Sequence, residues 1–291
     1  MDVQNRVIQL KAAGLSDAQI DAIVKGSEFS SEILSVQEVE KDPYIEIGGL
    51  PSGGRYYKNQ VGIPCKLKGQ PLKVRDSIVL EAMENSNDSE VIDDIFKRRI
   101  KGVSPGDILI GDELYILAWL REQTFTKTPL RKSFICSKCG HLNEDALVPL
   151  DKLMVYYLPA SVTDPMSCKL PISGNEIALR FMRRKDKVRI ENFVNENLAL
   201  RKLKIDDAKL LEIASVLHGM GITDGIEMLE NLDPTDFAVI NNFFIKMNFG
   251  FNKSAFLTCE KEECGFTSIV PIPFQDGYFL PKIGPDLSYE D

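Results

Sequence analysis

Apolar residues recur at helical spacing at Val3, Val7 and Leu10, and again at Ile20, Ile23 and Val24 behind the turn Gly14-Leu15-Ser16-Asp17. This pattern predicts a small helical element that ends in a polar, acidic linker from Gly26 to Tyr44, together residues 1–44. Two helices this short bury too little apolar surface to be stable alone, so they are expected to dock on the body of the protein or on a partner. From Glu46 the pattern changes. The turn cluster Gly48 to Gly54 precedes strand-like segments in Tyr56 to Leu67 and Leu72 to Val74. Asp76 then opens a helix carrying Ile78, Val79, Leu80 and Met83, which a polar turn at Glu84 to Asn87 interrupts. Asp88 or Ser89 caps the next helix, in which Glu90, Asp93 and Asp94 precede Lys97, Arg98, Arg99 and Lys101. That order complements the helix dipole, and Gly102 is read as the stop. A third helix from Asp112 is apolar nearly all round through Leu120 and is expected deep in the core.

The second half repeats these landmarks in the same order. Leu170-Pro171-Ile172-Ser173-Gly174 echoes Leu50-Pro51-Ser52-Gly53, Ile177, Leu179 and Phe181 alternate in strand fashion between Glu176 and Met182, and Asp186 opens a helix reaching Leu203. Asp233-Pro234-Thr235-Asp236 starts a helix with Phe237, Ile240, Phe244 and Met247 on one face. Each half then closes in a short strand and a pair of cysteines. The Leu-Pro turns, the aspartates Asp112 and Asp233, and the first cysteines Cys136 and Cys259 recur at nearly equal offsets, which points to a tandem duplication. The helices at Asp76 and Asp186 break the spacing and require a shorter strand loop in the second copy. The expected fold is α+β: a body over 45–282 made of two similar strand-helix halves, 46–150 and 165–270, joined by a four-cysteine zinc-ribbon-like site. The helical appendage precedes it and a tail, 283–291, follows.

Composition narrows the function classes. With 44% apolar and 27% charged positions in 291 residues, the chain can bury a real core. Its net charge of −8, from 35 basic and 43 acidic residues, disfavours nonspecific binding to phosphate backbones. The basic runs Lys97 to Lys101, Arg183 to Lys187 and Arg201 to Lys204 are read as solvated helix faces, with local nucleic-acid contact as the alternative. The longest apolar run, Leu114 to Leu120, is too short to span a bilayer core of about 30 Å. The opening residues lack a secretory pattern, so a reducing cytoplasm is expected and the six cysteines read as thiols or metal ligands.

Cys136-Ser137-Lys138-Cys139-Gly140 and Cys259 to Cys264-Gly265 each set two cysteines at a strand end ahead of a glycine, the form of a zinc knuckle. Four thiolates about 2.3 Å from one zinc make a closed tetrahedral site that holds structure and has no open position for activating water. One structural zinc per chain on Cys136, Cys139, Cys259 and Cys264 is therefore expected, clipping the halves together; an iron–sulfur cluster would use the same four ligands. His141 is read as a surface residue or alternate ligand, His218 as a helix-end residue, and Cys65 and Cys168 as small buried hydrophobes. With two imidazoles in all, and a glycine cluster lacking the Lys of a phosphate loop, no catalytic residues are assigned and no enzyme is expected.

The order of Leu50-Pro51-Ser52-Gly53 with Tyr56-Tyr57, Gly111-Asp112 with Leu114 to Arg121, the Cys136 knuckle, Leu170 to Gly174, and the second cysteine pair ahead of Phe274 and Phe279-Leu280-Pro281 resembles the baseplate hub and hub-assembly protein family of T-even-type contractile-tailed phages. The resemblance covers residues 46–282; the helical appendage and the four residues between Cys259 and Cys264 depart from the family pattern. It implies a non-enzymatic tail-morphogenesis protein of the hub or hub–wedge junction, found in the virion baseplate and, during assembly, in the host cytoplasm. Its partners would be other baseplate and tail proteins, with no small-molecule substrate. The aromatic and Pro-rich segment from Pro271 to Pro281 either docks on such a partner or wraps its own domain. The competing readings are a zinc-ribbon nucleic-acid or transcription-associated adaptor and a metal-dependent enzyme.

Overall fold

The computed structural model describes residues 43–57, 64–83, 89–199, 208–272, 274 and 278–281. The helices expected within 1–42, the polar turn at Glu84 to Asn87, the cap at Asp88, the basic run Arg201 to Lys204 and the tail 283–291 lie outside the described residues. From Tyr44 onward the chain forms one compact unit.

That unit is α+β, with small antiparallel sheets. Strands β1 (Ile45–Glu46), β2 (Lys68–Gly69) and β3 (Ile100–Lys101) pair in that order, Ile45 opposite Gly69 and Lys68 opposite Lys101. Helices α1 (Val74–Ala82) and α2 (Ser89–Arg99) run between β2 and β3. Next come α3 (Ile110–Thr124), the hairpin β4 (Arg131–Ile135) and β5 (Leu142–Leu147), and β6 (Leu153–Tyr156). A second hairpin, β7 (Met166–Lys169) and β8 (Glu176–Leu179), leads into α4 (Arg184–Ala199), α5 (Ala208–Val216), α6 (Ile222–Glu230) and α7 (Pro234–Lys246). The described chain closes in β9 (Gly250–Thr258) and β10 (Thr267–Pro271), a sheet in which β9 lies between β10 and β6.

The all-apolar third helix behaves as its pattern predicts: α3 buries every residue from Tyr115 to Arg121. The α7 start also follows its sequence, with Pro234 in the first turn and the Asp233 carboxylate accepting the Thr235 N–H at 2.7 Å. Other expectations are corrected. Leu72 to Val74 is not a strand, because Val74 already begins α1 and the Leu72 N–H is taken by the Thr124 hydroxyl. Tyr56 and Tyr57, at the start of the preceding predicted strand, lie in a turn and bend; residues 58–63 are outside the described residues, and among the described ones the ladder of this segment begins at Lys68. Gly102 does not stop a helix; α2 ends at Arg99, β3 intervenes, and Gly102 turns the chain after that strand at φ 100°.

Aspartates at the third position of helices hold the turns in place. Ser52 donates its N–H (2.9 Å) and its hydroxyl (2.5 Å) to Asp112 of α3, and Tyr57 adds its hydroxyl at 2.6 Å. Asp236, in the third position of α7, accepts the N–H groups of Ile172 (2.8 Å) and Ser173 (2.9 Å) from the turn between β7 and β8. Asp236, not Asp233, therefore does for the second Leu-Pro turn what Asp112 does for the first. Close backbone approach ties α3 to β9. Gly250 sits at φ 120°, and a Cβ there would collide with the Gly111 carbonyl oxygen.

The basic runs are only partly solvated. Arg99 is buried on Asp76 at 2.5 Å, and Arg183 reaches the Asp107 carbonyl and the Asp164 carboxylate, each at 3.2 Å. Arg184, at the start of α4, has no exposed surface: it binds Asp93 of α2 at 2.5 Å, Glu113 of α3, and the Ser89 carbonyl at 2.7 Å, over the Phe96 ring. Reading charge along one helix cannot reveal counter-ions supplied by two others. Arg184→Ala takes the closest cation from buried Glu113, leaving only Lys187 at 3.9 Å, removes the Asp93 ion pair as well, and is expected to cost about 3–5 kcal/mol of unfolding free energy. Denaturant unfolding of the variant against the wild type measures this.

Candidate metal centre

Each cysteine pair is built by a hairpin end whose backbone is pinned before the thiols are placed. In the first, the Cys136 N–H donates to the His141 carbonyl at 2.9 Å and the Gly140 N–H returns to the Cys136 carbonyl at 3.0 Å. Gly140 takes a positive φ of 70°, the conformation that lets the knuckle reverse. In the second, the Cys259 N–H donates to the Phe266 carbonyl at 2.9 Å, and the Cys264 N–H donates to Lys261 at 2.8 Å. The longer gap between Cys259 and Cys264 is thus taken up by a turn, after which Gly265 again has a positive φ.

The two hairpin ends face each other. Cys136 and Cys264 sulfurs lie 3.8 Å apart, Cys139 and Cys259 sulfurs 3.7 Å apart, and all four lie within 4.8 Å of one another. Sulfurs about 2.3 Å from a central ion sit about 3.8 Å apart along the edges of a regular tetrahedron, so the donor set fits a single four-coordinate ion. Cys136 and Cys259, at the strand ends, are buried; their partners lie nearer the surface. This is the group of three or more His, Cys, Asp or Glu side chains that could hold a metal ion among the described residues.

Asn143 joins the hairpins beside the sulfurs. It is buried, accepts the Glu260 N–H at 2.7 Å, and donates to the His141 carbonyl at 3.2 Å. Ser137 and Ser268 hydroxyls meet at 3.4 Å, and the Lys138 ammonium stands 6.0 Å from the centre of the Phe266 ring. Sequence reading missed Asn143, since a lone Asn after a knuckle carries no periodic signal.

The thiols respond strongly to this crowding. Backbone N–H donation from Cys139, with help from Lys138, draws the Cys136 thiol down to about 6 against the opposing effect of burial. At Cys264 the Phe266 backbone lowers the pKa, but burial and the other three sulfurs push the thiol up to about 11. One negative charge is easily held here and four are not, until a cation replaces the protons.

No family model, curated protein or solved structure matches this chain.

The remaining candidate residues lie outside this centre. His141 contributes its carbonyl to the knuckle, and its imidazole is not in the four-sulfur group. The His218 backbone pairs with Ala178 of β8 at 2.8 Å. Cys65 and Cys168 are half-buried rather than buried, the first with its thiol 3.4 Å from the Gly102 carbonyl, the second on β7. The Gly48 to Gly54 cluster forms turns whose Ser52 N–H is spent on Asp112. Asn143→Ala removes the acceptor of the Glu260 amide and is expected to cost about 1–3 kcal/mol. Amide hydrogen exchange should then show a selective loss of protection at Glu260.

Proposed function

We propose that Cys136, Cys139, Cys259 and Cys264 hold one structural zinc, and that the chain is a non-enzymatic structural or assembly protein of a phage tail baseplate. Its place would be the hub or the hub–wedge junction, its work the docking of other baseplate and tail proteins. Assembly would take place in the host cytoplasm and the product would lie in the virion. The observation that carries the metal part is the four-sulfur group itself, with cross-hairpin distances of 3.7 and 3.8 Å. Sulfurs so close leave room for one ion and none for several irons with bridging sulfides. Four thiolates complete the coordination of zinc, so the ion would supply cohesion between hairpins and no reactive position.

Two further features support docking over catalysis. Each hairpin exposes an apolar cross-strand pair, Ile135 opposite Leu142 and Phe256 opposite Ile269, with between 41% and 68% of each side chain in solvent. The two basic runs among the described residues that would serve a nucleic-acid adaptor have Arg99, Arg183 and Arg184 turned into internal ion pairs. The baseplate assignment itself rests on the ordered sequence landmarks. Many of these are contact points: Ser52 on Asp112, Ile172 and Ser173 on Asp236, and the cysteines on each other.

The halves 46–150 and 165–270 are read as a tandem repeat. In support, a Leu-Pro turn separates β1 from β2 and another separates β7 from β8, each held by the third residue of a later helix. Asp76 and Asp186 likewise each accept the N–H three residues before them, Lys73 at 3.0 Å and Arg183 at 2.9 Å.

Co-expression with hub and wedge proteins should yield a complex that survives size exclusion, and Cys139→Ser or Cys264→Ser should lose both metal and folded stability. Absence of the protein from virions and from tail-assembly intermediates would contradict the baseplate reading. Binding to DNA or RNA with a steep negative salt slope would favour the adaptor instead.

A further inference from the structure

Three arginines are buried among the described residues, Arg99, Arg121 and Arg184, and two of them sit on carboxylates. Arg121 does not. It is 4% exposed at the inner side of α3, and its Nε donates to the Tyr278 carbonyl at 3.0 Å. Its guanidinium is flanked by the rings of Phe125 and Tyr278, 5.4 and 5.7 Å away. Its two terminal nitrogens make no hydrogen bond or ion pair among the described residues. Burial lowers its pKa from the usual arginine value, yet a guanidinium stays protonated in a protein. Glu122 is close enough to act on this charge but makes no ion pair with it among the described residues, and a planar guanidinium fork beside two rings is suited to meet a carboxylate in two parallel hydrogen bonds.

Arg121 lines a cavity of ≈ 250 Å³ between α3, the start of β6 and Tyr278. Its other walls are mainly apolar, among them Pro129, Leu130, Val148 and Leu150. Glu122 also faces it, with one carboxylate oxygen accepting the Leu150 N–H at 3.1 Å. That neighbouring negative charge opposes a dianion such as phosphate and leaves a single negative charge as the better match. The volume is below that of a drug-sized pocket and fits one side-chain-sized group.

We infer that this cavity is a binding site for a monocarboxylate carried on an apolar body. The carboxylate pairs with the free guanidinium nitrogens of Arg121 and the apolar part fills the space between Leu130, Val148 and Leu150. The inference does not depend on the baseplate reading. A free organic acid and the terminal residue of a partner polypeptide share this chemistry, and the probes distinguish them.

The test uses the full, metal-loaded chain and thermal unfolding with hexanoate and N-acetyl-leucine, against hexanol and N-acetyl-leucinamide as neutral counterparts and inorganic phosphate as a dianion. At a hundredfold excess over Kd a carboxylate should raise Tm by about 5–10 °C. The neutral counterparts and phosphate should not. Tighter binding of N-acetyl-leucine identifies a chain terminus as the ligand type, and tighter binding of hexanoate a free acid; either supports the site. Arg121→Gln should abolish the response. Leu150→Trp, which fills the cavity and leaves Arg121 in place, should weaken it at least tenfold. Equal shifts with the amide or alcohol, equal shifts with phosphate, or no shift with either carboxylate overturns the inference.

Discussion

Four sulfur atoms within 4.8 Å of one another set the strongest constraint in this protein. Thiols so placed cannot all ionise in water alone, and the opposite displacements of Cys136 and Cys264 express that conflict. A divalent cation would resolve it by replacing protons, and if the ion is the proposed zinc, structural sites of that kind contribute roughly 10–16 kcal/mol at neutral pH. That matches or exceeds the whole stability of an ordinary domain. The paired residues Cys139 and Cys259 are 120 positions apart, so a bound ion would deliver that energy to a contact between distant parts of the chain. Loop-closure entropy grows only slowly with length, which makes such a distant clip inexpensive in chain entropy.

Other contacts carry the same union between early and late segments. Arg184, at the start of α4, gathers counter-ions from α2 and α3. Gly111 and Gly250 allow the start of α3 to touch the start of β9 without a Cβ between them. Asn143 bonds one hairpin to the other beside the cysteines. These groups are polar or small, and each works through a specific partner. The apolar core surrounds them with α3, whose Ile116 and Leu120 have no exposed surface.

What the sequence reveals follows from how local each signal is. The apolar run around Trp119 can only be a buried helix, and Asp233-Pro234 can only begin one, so α3 and α7 were legible. The cysteines were legible because their chemistry is specific at short spacing. β1, β2 and β3 have two residues each, too few for alternation to register. Arg184 looked solvated because its partners lie 91 and 71 positions away. Asp236 was hidden behind Asp233, the nearer and more familiar cap. The second hairpin closes the same kind of turn on Lys261 that the first closes on Cys136, a shift that its longer cysteine spacing alone does not announce.

The four-sulfur group, the internal ion pairs of Arg99, Arg183 and Arg184 and the apolar pairs exposed on both hairpins support the proposed role in assembly with other proteins. The proposed ion between the hairpins is the central claim. X-ray absorption at the zinc edge on freshly purified protein tests it most directly. One zinc per chain with four sulfur neighbours at about 2.3 Å is the predicted result. A folded protein without metal, or zinc bound through oxygen or nitrogen, would contradict the account.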